Sequence, residues 1–451
     1  MQALLISYIL NPLGRKLAPI SQKNKDRVFV LSGLTIIILS FLRHSELVDY
    51  RYLYHFVACC GCVGLMILSS LEENLKPVRF RKSFAILWFS YGILKLISGI
   101  RHSENYLPEA ALILVAYPIL FLVWRNTDYT RIFHLLCRIL RLSLWIFAIA
   151  SWMFSPISVS KYPGIFTNTN NASYYLSLAV VALLLMLMYG ESRGKEFVKN
   201  VVALGIAVGL NYYTNSRTGP FGVIFALVLG LGVYLLRHDR AENIACLKRL
   251  GIGAAACVVS VISLVYVYQL RHYVPMVYFD GDEKGVYEAT REDLMGEYSD
   301  IIFDISGFVN ISHIKNETDG KDLNAYSTGR ITIWKAYASE LNWSGHEGVP
   351  PKYFNKEIKS THMTPLQIAY ESGIPTGVAY LLMNIASGML ALWFAWKHGK
   401  LRYAAAPVMF TAVFGVLSML GSCPDSFGYL TTLFYYLAQF PILLRHPEET
   451  K

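Results

Sequence analysis

Residues 172–189 read Ala172-Ser-Tyr-Tyr-Leu-Ser-Leu-Ala-Val-Val-Ala-Leu-Leu-Leu-Met-Leu-Met-Tyr189. The stretch carries no charge and is apolar around the whole circumference of a helix. It meets the length of a bilayer crossing, which takes roughly 20 residues with a range of about 17–25. Comparable stretches recur along the chain, and twelve spans are expected, at 27–43, 52–71, 84–100, 107–124, 136–154, 172–189, 197–213, 218–236, 249–270, 373–396, 403–421 and 426–444. Continuous apolar runs without alternation select helices over barrel strands. Lipid leaves unpaired backbone groups no other solution. The expected fold class is an all-α polytopic membrane protein of about 12 transmembrane helices.

Composition agrees. The 451 residues are 54 % hydrophobic and 16 % charged, whereas soluble domains are about a quarter charged. Mean hydropathy is +0.39. A disordered chain, a cytosolic enzyme and a nucleic-acid binder are excluded on these grounds. The net charge of +10 is no sign of a nucleic-acid partner, because the charge is sorted by position along the chain.

That sorting orients the chain. With the N-terminus in the cytoplasm, the inner segments are dense in Lys and Arg, as at Arg15, Lys16, Lys23, Lys25 and Arg27, or Arg125, Arg131, Arg138 and Arg141. The short outer loops hold only Arg43, Arg51, Arg101, Lys161 and Arg217. Both termini are therefore expected inside. Residues 1–12 lack a basic n-region and a cleavage site and read as an interfacial segment. Tyrosines such as Tyr106, Tyr174, Tyr175, Tyr212 and Tyr213 gather near outer ends and read as an aromatic belt. Most of the seven cysteines lie within spans. Cys59, Cys60 and Cys62 lack zinc-ligand spacing, so neither a structural disulfide nor a metal site is expected.

One long outer loop, 271–372, separates a block of nine spans (1–270) from a block of three (373–451). It holds about half of the 31 acidic residues and about a quarter of the 41 basic ones. Its first half, with Asp280, Asp282, Glu283, Glu292, Asp293 and Asp300, reads as a solvated acidic face rather than a calcium loop. In its second half, Arg330–Ser339 has helical apolar spacing, with Ser327 and Thr328 as caps. A further helix is expected to start near Thr361 and to lead into the tenth span.

Within this frame a few residues are suited to chemistry. Arg217 sits in Tyr213-Thr-Asn-Ser-Arg217-Thr-Gly-Pro220, at the start of a helix. A cation is out of place there on dipole grounds unless an anion is bound. Arg330 opens the loop helix in the same way. Two guanidinium groups match the oxygens of a phosphate-bearing ligand. His362, in Lys359-Ser-Thr-His362-Met-Thr-Pro-Leu366, stands where the loop re-enters the membrane and is suited to proton transfer near neutral pH. Glu371 near the start of a span needs a partner. His346 is a weaker candidate, and Lys95 reads as a snorkelling lysine. Asn168, Asn170 and Asn171 form an amide-rich outer turn, suited either to helix capping or to sugar or phosphate contact.

Four segments resemble, in the right order, the O-antigen ligase and Wzy-type polysaccharide polymerase superfamily. They are Gly164-Ile-Phe-Thr-Asn168-Thr-Asn170-Asn171-Ala172; Ser216-Arg217-Thr218-Gly219; Gly329-Arg330 with Ile333-Trp334; and His362 with Leu366, Glu371, Ser372, Gly373 and Ile374. The resemblance covers about 160–396, and the rest only by topology. Two departures stand out: Met363 follows the histidine where the family often has Asn, and Gly345-x-x-Gly348 replaces a Gly-x-Gly.

The resemblance implies a GT-C-like helical membrane fold and a glycosyltransferase of the bacterial inner membrane, with its active site on the extracytoplasmic face. The implied donor is a glycan on undecaprenyl diphosphate, with a glycan acceptor, the lipid bilayer and a chain-length regulator as partners and no cofactor. Arg217 and Arg330 would hold the diphosphate and His362 would meet the acceptor hydroxyl. Asn168, Asn170, Asn171 and Glu371 would line the substrate site. The reaction would be inverting and metal-independent, polymerising repeat units of a surface polysaccharide. The alternatives are a ligase that hands the finished glycan to a lipid A core, and, in another class, a transporter or lipid flippase. Transporter sites lie near the bilayer midplane in repeated halves, whereas the charged candidates here gather at one face.

Overall fold

A computed structural model describes residues 2–45, 52–102, 106–154, 162–190, 193–269, 278–280, 283–285, 330–346, 352–353, 356–357 and 360–445. The described chain is almost entirely helical. Helices occupy each of the twelve apolar stretches: α1 (Gln22–His44), α2 (Tyr52–Ser69), α3 (Lys82–Arg101), α4 (Leu107–Arg125), α5 (Tyr129–Phe154), α6 (Thr169–Tyr189), α7 (Lys195–Tyr213), α8 (Thr218–Arg237) and α9 (Arg240–Gln269) before the long loop. After it come α10 (Arg330–Ser339) and α11 (Thr364–Ser372), then α12 (Ile374–Lys397), α13 (Ala406–Leu420) and α14 (Leu430–Leu443, interrupted at 438–439). Among the described residues, 7 helices are long and apolar enough to cross a membrane: α3, α4, α5, α6, α8, α9 and α12. The strands are two short antiparallel ribbons, Tyr278–Asp280 with Glu283–Gly285 and Lys352–Tyr353 with Lys356–Glu357.

The helix α6, apolar all round, is the central one, as that pattern requires. Nearly all of it is buried, and α5, α7, α8, α9 and α13 pack around it. The peripheral helices turn apolar residues outward instead. On α8 these are Phe221, Ile224, Phe225 and Val228, and on α3 they are Ile86, Ile93, Ile97 and Ile100. Such continuous apolar faces are what a bilayer covers and water does not.

Local chemistry sets several boundaries. Within α4, residues Leu112–Ala116 form a π turn, and Pro118 lies at the start of the α segment that follows. Proline lacks the N–H that a regular ladder needs there. The helix α9 begins at Arg240, well before the apolar stretch at 249, because its first turns carry charge outside the apolar layer. At the end of the bundle away from the long loop, basic side chains close helix ends. Arg249 donates from Nε to Leu187 O at 2.6 Å and from Nη2 to Met188 O at 2.7 Å, capping α6. Arg141, 7 % exposed, donates to Glu196 at 2.7 Å and to Asn200 at 2.6 Å. The N-terminal helical segment buries Ile6 and Leu10 against Leu71, Leu75, Leu122 and Val123.

The expected loop helix is found at Arg330–Ser339, whereas Ser327 and Thr328 lie outside the described residues. The acidic positions Asp282, Glu292, Asp293 and Asp300 also lie outside them. The helix expected from Thr361 into the tenth span is two helices. Gly373, at φ +91, breaks it between α11 and α12. A Cβ there would overlap the backbone of Trp343, so only glycine fits.

Candidate functional site

The four separated segments meet at one end of the bundle, around the first turns of α6. Asn168 is the N-cap of α6, its side chain accepting from Asn170 N at 2.8 Å. Asn170 in turn accepts from Ser216 Oγ at 3.1 Å. Arg217 is thereby held beside the α6 N-terminus, at the N-cap position of α8. Its side chain is exposed and makes no ion pair among the described residues. Asn215, at φ +52, supplies the sharp turn before it, a conformation asparagine tolerates. A Cβ at Gly219 would overlap the Ser173 hydroxyl, so glycine lets α8 close onto α6.

The charge of Arg330 acts on the same helix one turn further on. Its guanidinium acts electrostatically on the Tyr174 hydroxyl and on His362. Tyr174 is buried on α6 and also sits against Gly421, where a side chain would overlap its hydroxyl. His362 is half-buried and has a left-handed backbone, φ +52. Such a conformation in a non-glycine residue is costly and marks a site that its surroundings enforce. The enforcing contacts are visible. Trp334 on α10 donates from Nε1 to Thr361 O at 2.9 Å. Thr364 Oγ1 donates to Gly421 O at 3.2 Å and accepts from Cys423 N at 2.9 Å. The imidazole itself forms no hydrogen bond among the described residues. Burial, and then the Arg330 charge, hold its pKa below the usual 6.5. The ring is therefore neutral at pH 7 and able to accept a proton.

A small cleft adjoins this group, lined by His44, Asn171, Tyr174, Tyr429 and Thr431 among others. Asn171 Nδ2 lies 3.3 Å from His44 Nδ1, and the other ring nitrogen of His44 meets Gly428 O. Beside it Arg43 pairs with Asp425 at 3.7 Å.

Other sequence candidates resolve differently. Of the three asparagines, Asn168 caps the helix, while Asn170 and Asn171 reach across to neighbouring elements. His346 stacks on Tyr370 at 4.2 Å and its Nε2 lies 2.6 Å from Glu340 O, so it packs α10 and α11 together. Glu371 is half-buried and accepts from Gln367 Nε2. Lys95 does not snorkel: it is 3 % exposed, and its Nζ donates to Ser372 Oγ at 3.1 Å. The turn of α3 that carries it faces the bundle, and there the Ser372 hydroxyl and the Tyr106 ring, 4.3 Å from Nζ, meet its ammonium.

Sequence reading passed over Glu109. It is 3 % exposed and accepts from Ser426 N at 2.9 Å and Ser426 Oγ at 2.8 Å. A carboxylate at the head of an apolar span was the available signal. His44 and Asp425 were missed because each is an ordinary loop-edge residue until the helices bring them together.

The chain matches no protein-family model and no curated protein.

Proposed function

We propose that this protein is a membrane glycosyltransferase that polymerises undecaprenyl-diphosphate-linked repeat units of a surface polysaccharide. In this reading the chain crosses the bacterial inner membrane twelve times in a GT-C-like arrangement, with both termini cytoplasmic. The observation that carries it is that the Arg330 charge acts on both His362 and Tyr174, at the end of the bundle where the Ser216–Asn170 hydrogen bond fixes the turn that carries Arg217. The turn that carries Arg217 thus borders the start of α6, the Arg330 charge acts on the first turns of the same helix, and a helix N-terminus itself favours an anion.

The chemistry follows from the charges. The acceptor hydroxyl oxygen attacks the anomeric carbon while the bond from that carbon to the diphosphate oxygen breaks. The leaving diphosphate takes the electron pair, and fixed cations at Arg217 and Arg330 stabilise the charge that develops. His362, held neutral, takes the hydroxyl proton. Attack opposite the leaving group inverts the anomeric centre.

The test is complementation of a deletion strain, read as a glycan ladder on a gel. Wild type restores long chains, whereas Arg217→Ala, Arg330→Ala and His362→Ala each leave chains at one repeat unit. Full-length glycan that accumulates on its lipid carrier in the deletion strain would instead identify a ligase. Wild-type ladders from all three variants would sink the transferase reading and favour a transporter.

A further inference from the structure

The helix α12 turns one apolar stripe outward along its length. Val378, Leu382, Ile385, Met389, Trp393 and Trp396 are all exposed, at the three- and four-residue steps of a single helix face. The stripe ends in its two tryptophans, at the end of the bundle opposite His362. Exposed indole rings of this kind sit where apolar tails give way to headgroups.

Two cations from different elements meet on the first of these rings. The Arg81 guanidinium carbon is 4.6 Å from the centre of the Trp393 ring, and Lys397 Nζ is 5.0 Å from the same ring. In the same way Arg237, at the end of α8, lies 5.4 Å from the centre of the Trp396 ring. Each cation is attracted by its ring, but Arg81 and Lys397 repel each other. The surrounding sequence adds to that repulsion. Residues 76–82 hold Lys76, Arg79, Arg81 and Lys82, residues 393–402 hold Lys397, Lys400 and Arg402, and neither stretch contains Asp or Glu.

Arg81 is held where it stands by the last turn of α14. Its backbone N donates to Leu443 O at 2.9 Å and its Nε donates to Ile442 O at 3.2 Å. It is also the N-cap residue of α3, and its side chain does not cap that helix. A helix start attracts negative charge, so a cation fixed there calls for an anion beside it.

We propose that the start of α3 and the end of α12 form a binding site for an anionic phospholipid. The phosphate lies between Arg81 and Lys397 at the start of α3, and the acyl chains run along the α12 stripe past Met389 and Ile385. The complementarity is to an amphiphile and not to a bare anion. Two cations and a helix start answer the phosphate, and exposed aliphatic side chains continuous with them answer the tails. The site is independent of the reaction carried out at the other end of the bundle.

The test is native mass spectrometry of the full-length protein in detergent micelles. The protein is titrated with dioleoyl phosphatidylglycerol or with dioleoyl phosphatidylcholine, which share their tails. One cation at a membrane surface strengthens binding of an anionic lipid by about fivefold. The first phosphatidylglycerol is therefore expected to bind the wild type about 25-fold more tightly than the first phosphatidylcholine. Lys397→Gln loses about fivefold of that preference, and Arg81→Gln combined with Lys397→Gln abolishes it. Arg240→Gln combined with Lys248→Gln removes the same charge from exposed positions on α9 and leaves the preference intact. In thermal unfolding, phosphatidylglycerol raises the midpoint and inorganic phosphate alone does not.

Equal affinity of the wild type for the two lipids overturns the proposal. A loss in the α9 control as large as that in the α3–α12 double variant also overturns it, because attraction would then follow net charge alone. A midpoint raised as much by inorganic phosphate as by the lipid identifies a bare-anion site and overturns it too. The Lys397 side chain is exposed, so Lys397→Gln decides alone where Arg81→Gln disturbs the contact with Ile442. An unaltered preference in that single variant overturns the proposal.

Discussion

Ser216 donates a hydrogen bond of 3.1 Å to Asn170 and joins two polar turns 46 residues apart in sequence. Arg217 follows the donor directly, so this bond sets where its guanidinium begins. One neutral hydrogen bond contributes about 0.5–1.5 kcal/mol. Asn170→Ala is therefore expected to slow chain elongation by about 2- to 13-fold. Arg217→Ala is expected to cost about 10²–10³. In the double variant Asn170 adds little to the loss at Arg217, because it acts through that residue. Densitometry of the glycan ladder over time measures all three, and full additivity would separate the two residues.

Asn168 has a different duty from its neighbours. Its side chain caps α6, and replacement of such a cap by alanine costs about 1 kcal/mol. Thermal unfolding in detergent is expected to show that loss for Asn168→Ala and close to none for Asn168→Ser, which keeps a capping oxygen. Equal losses in both would remove the capping role.

Gly219 permits the close approach of α8 to α6. Alanine at this position drives its Cβ into the Ser173 and Ser177 hydroxyls. Overpacking of this kind costs about 1–3 kcal/mol. Gly219→Ala should lower the melting temperature and, by moving the N-terminus of α8, also weaken the ladder. Gly232→Ala on the same helix meets open space and serves as the control.

The pH response of His362 has a defined sign. Its folded-state pKa lies below 6.5, first through burial and then through Arg330. The unfolded chain then binds more protons just below 6.5, so the contribution to stability is present above that pH and lost as pH falls through the folded value. Elongation that needs the neutral ring accordingly persists to below pH 6.5. Arg330→Gln removes one of the two causes and raises the pH midpoint of His362 labelling by diethyl pyrocarbonate. A midpoint that falls or stays put would show that the guanidinium does not act on the ring.

At the other end of the bundle, Arg141 is buried and bonded to Glu196 and Asn200. Hydrogen bonds to a charged group contribute about 1.5–3 kcal/mol. Arg141→Met should lower thermal stability by an amount at the small end of that range, since Glu196 is 64 % exposed and water screens the pair. Asn200→Leu in the wild-type background should show a loss too, because it strands part of a buried guanidinium.

The sequence by itself determined the helical class, the place of every apolar helix and the loop helix at Arg330–Ser339. These follow from local patterns: unbroken apolar runs, helical spacing, and the residues that start or stop a turn. It also singled out Arg217, Arg330 and His362, because cations at helix starts and a histidine at a membrane edge are anomalous on local grounds alone. The break at Gly373, the inward turn of Lys95 and the division of labour among Asn168, Asn170 and Asn171 were decided only by the tertiary structure. A helix pattern shows which residues are polar but not which neighbour each one faces. That depends on how α3, α4, α6 and α11 are rotated and staggered against one another. Packing between residues hundreds of positions apart, as between Lys95 and Ser372, sets those rotations, and no local pattern records it.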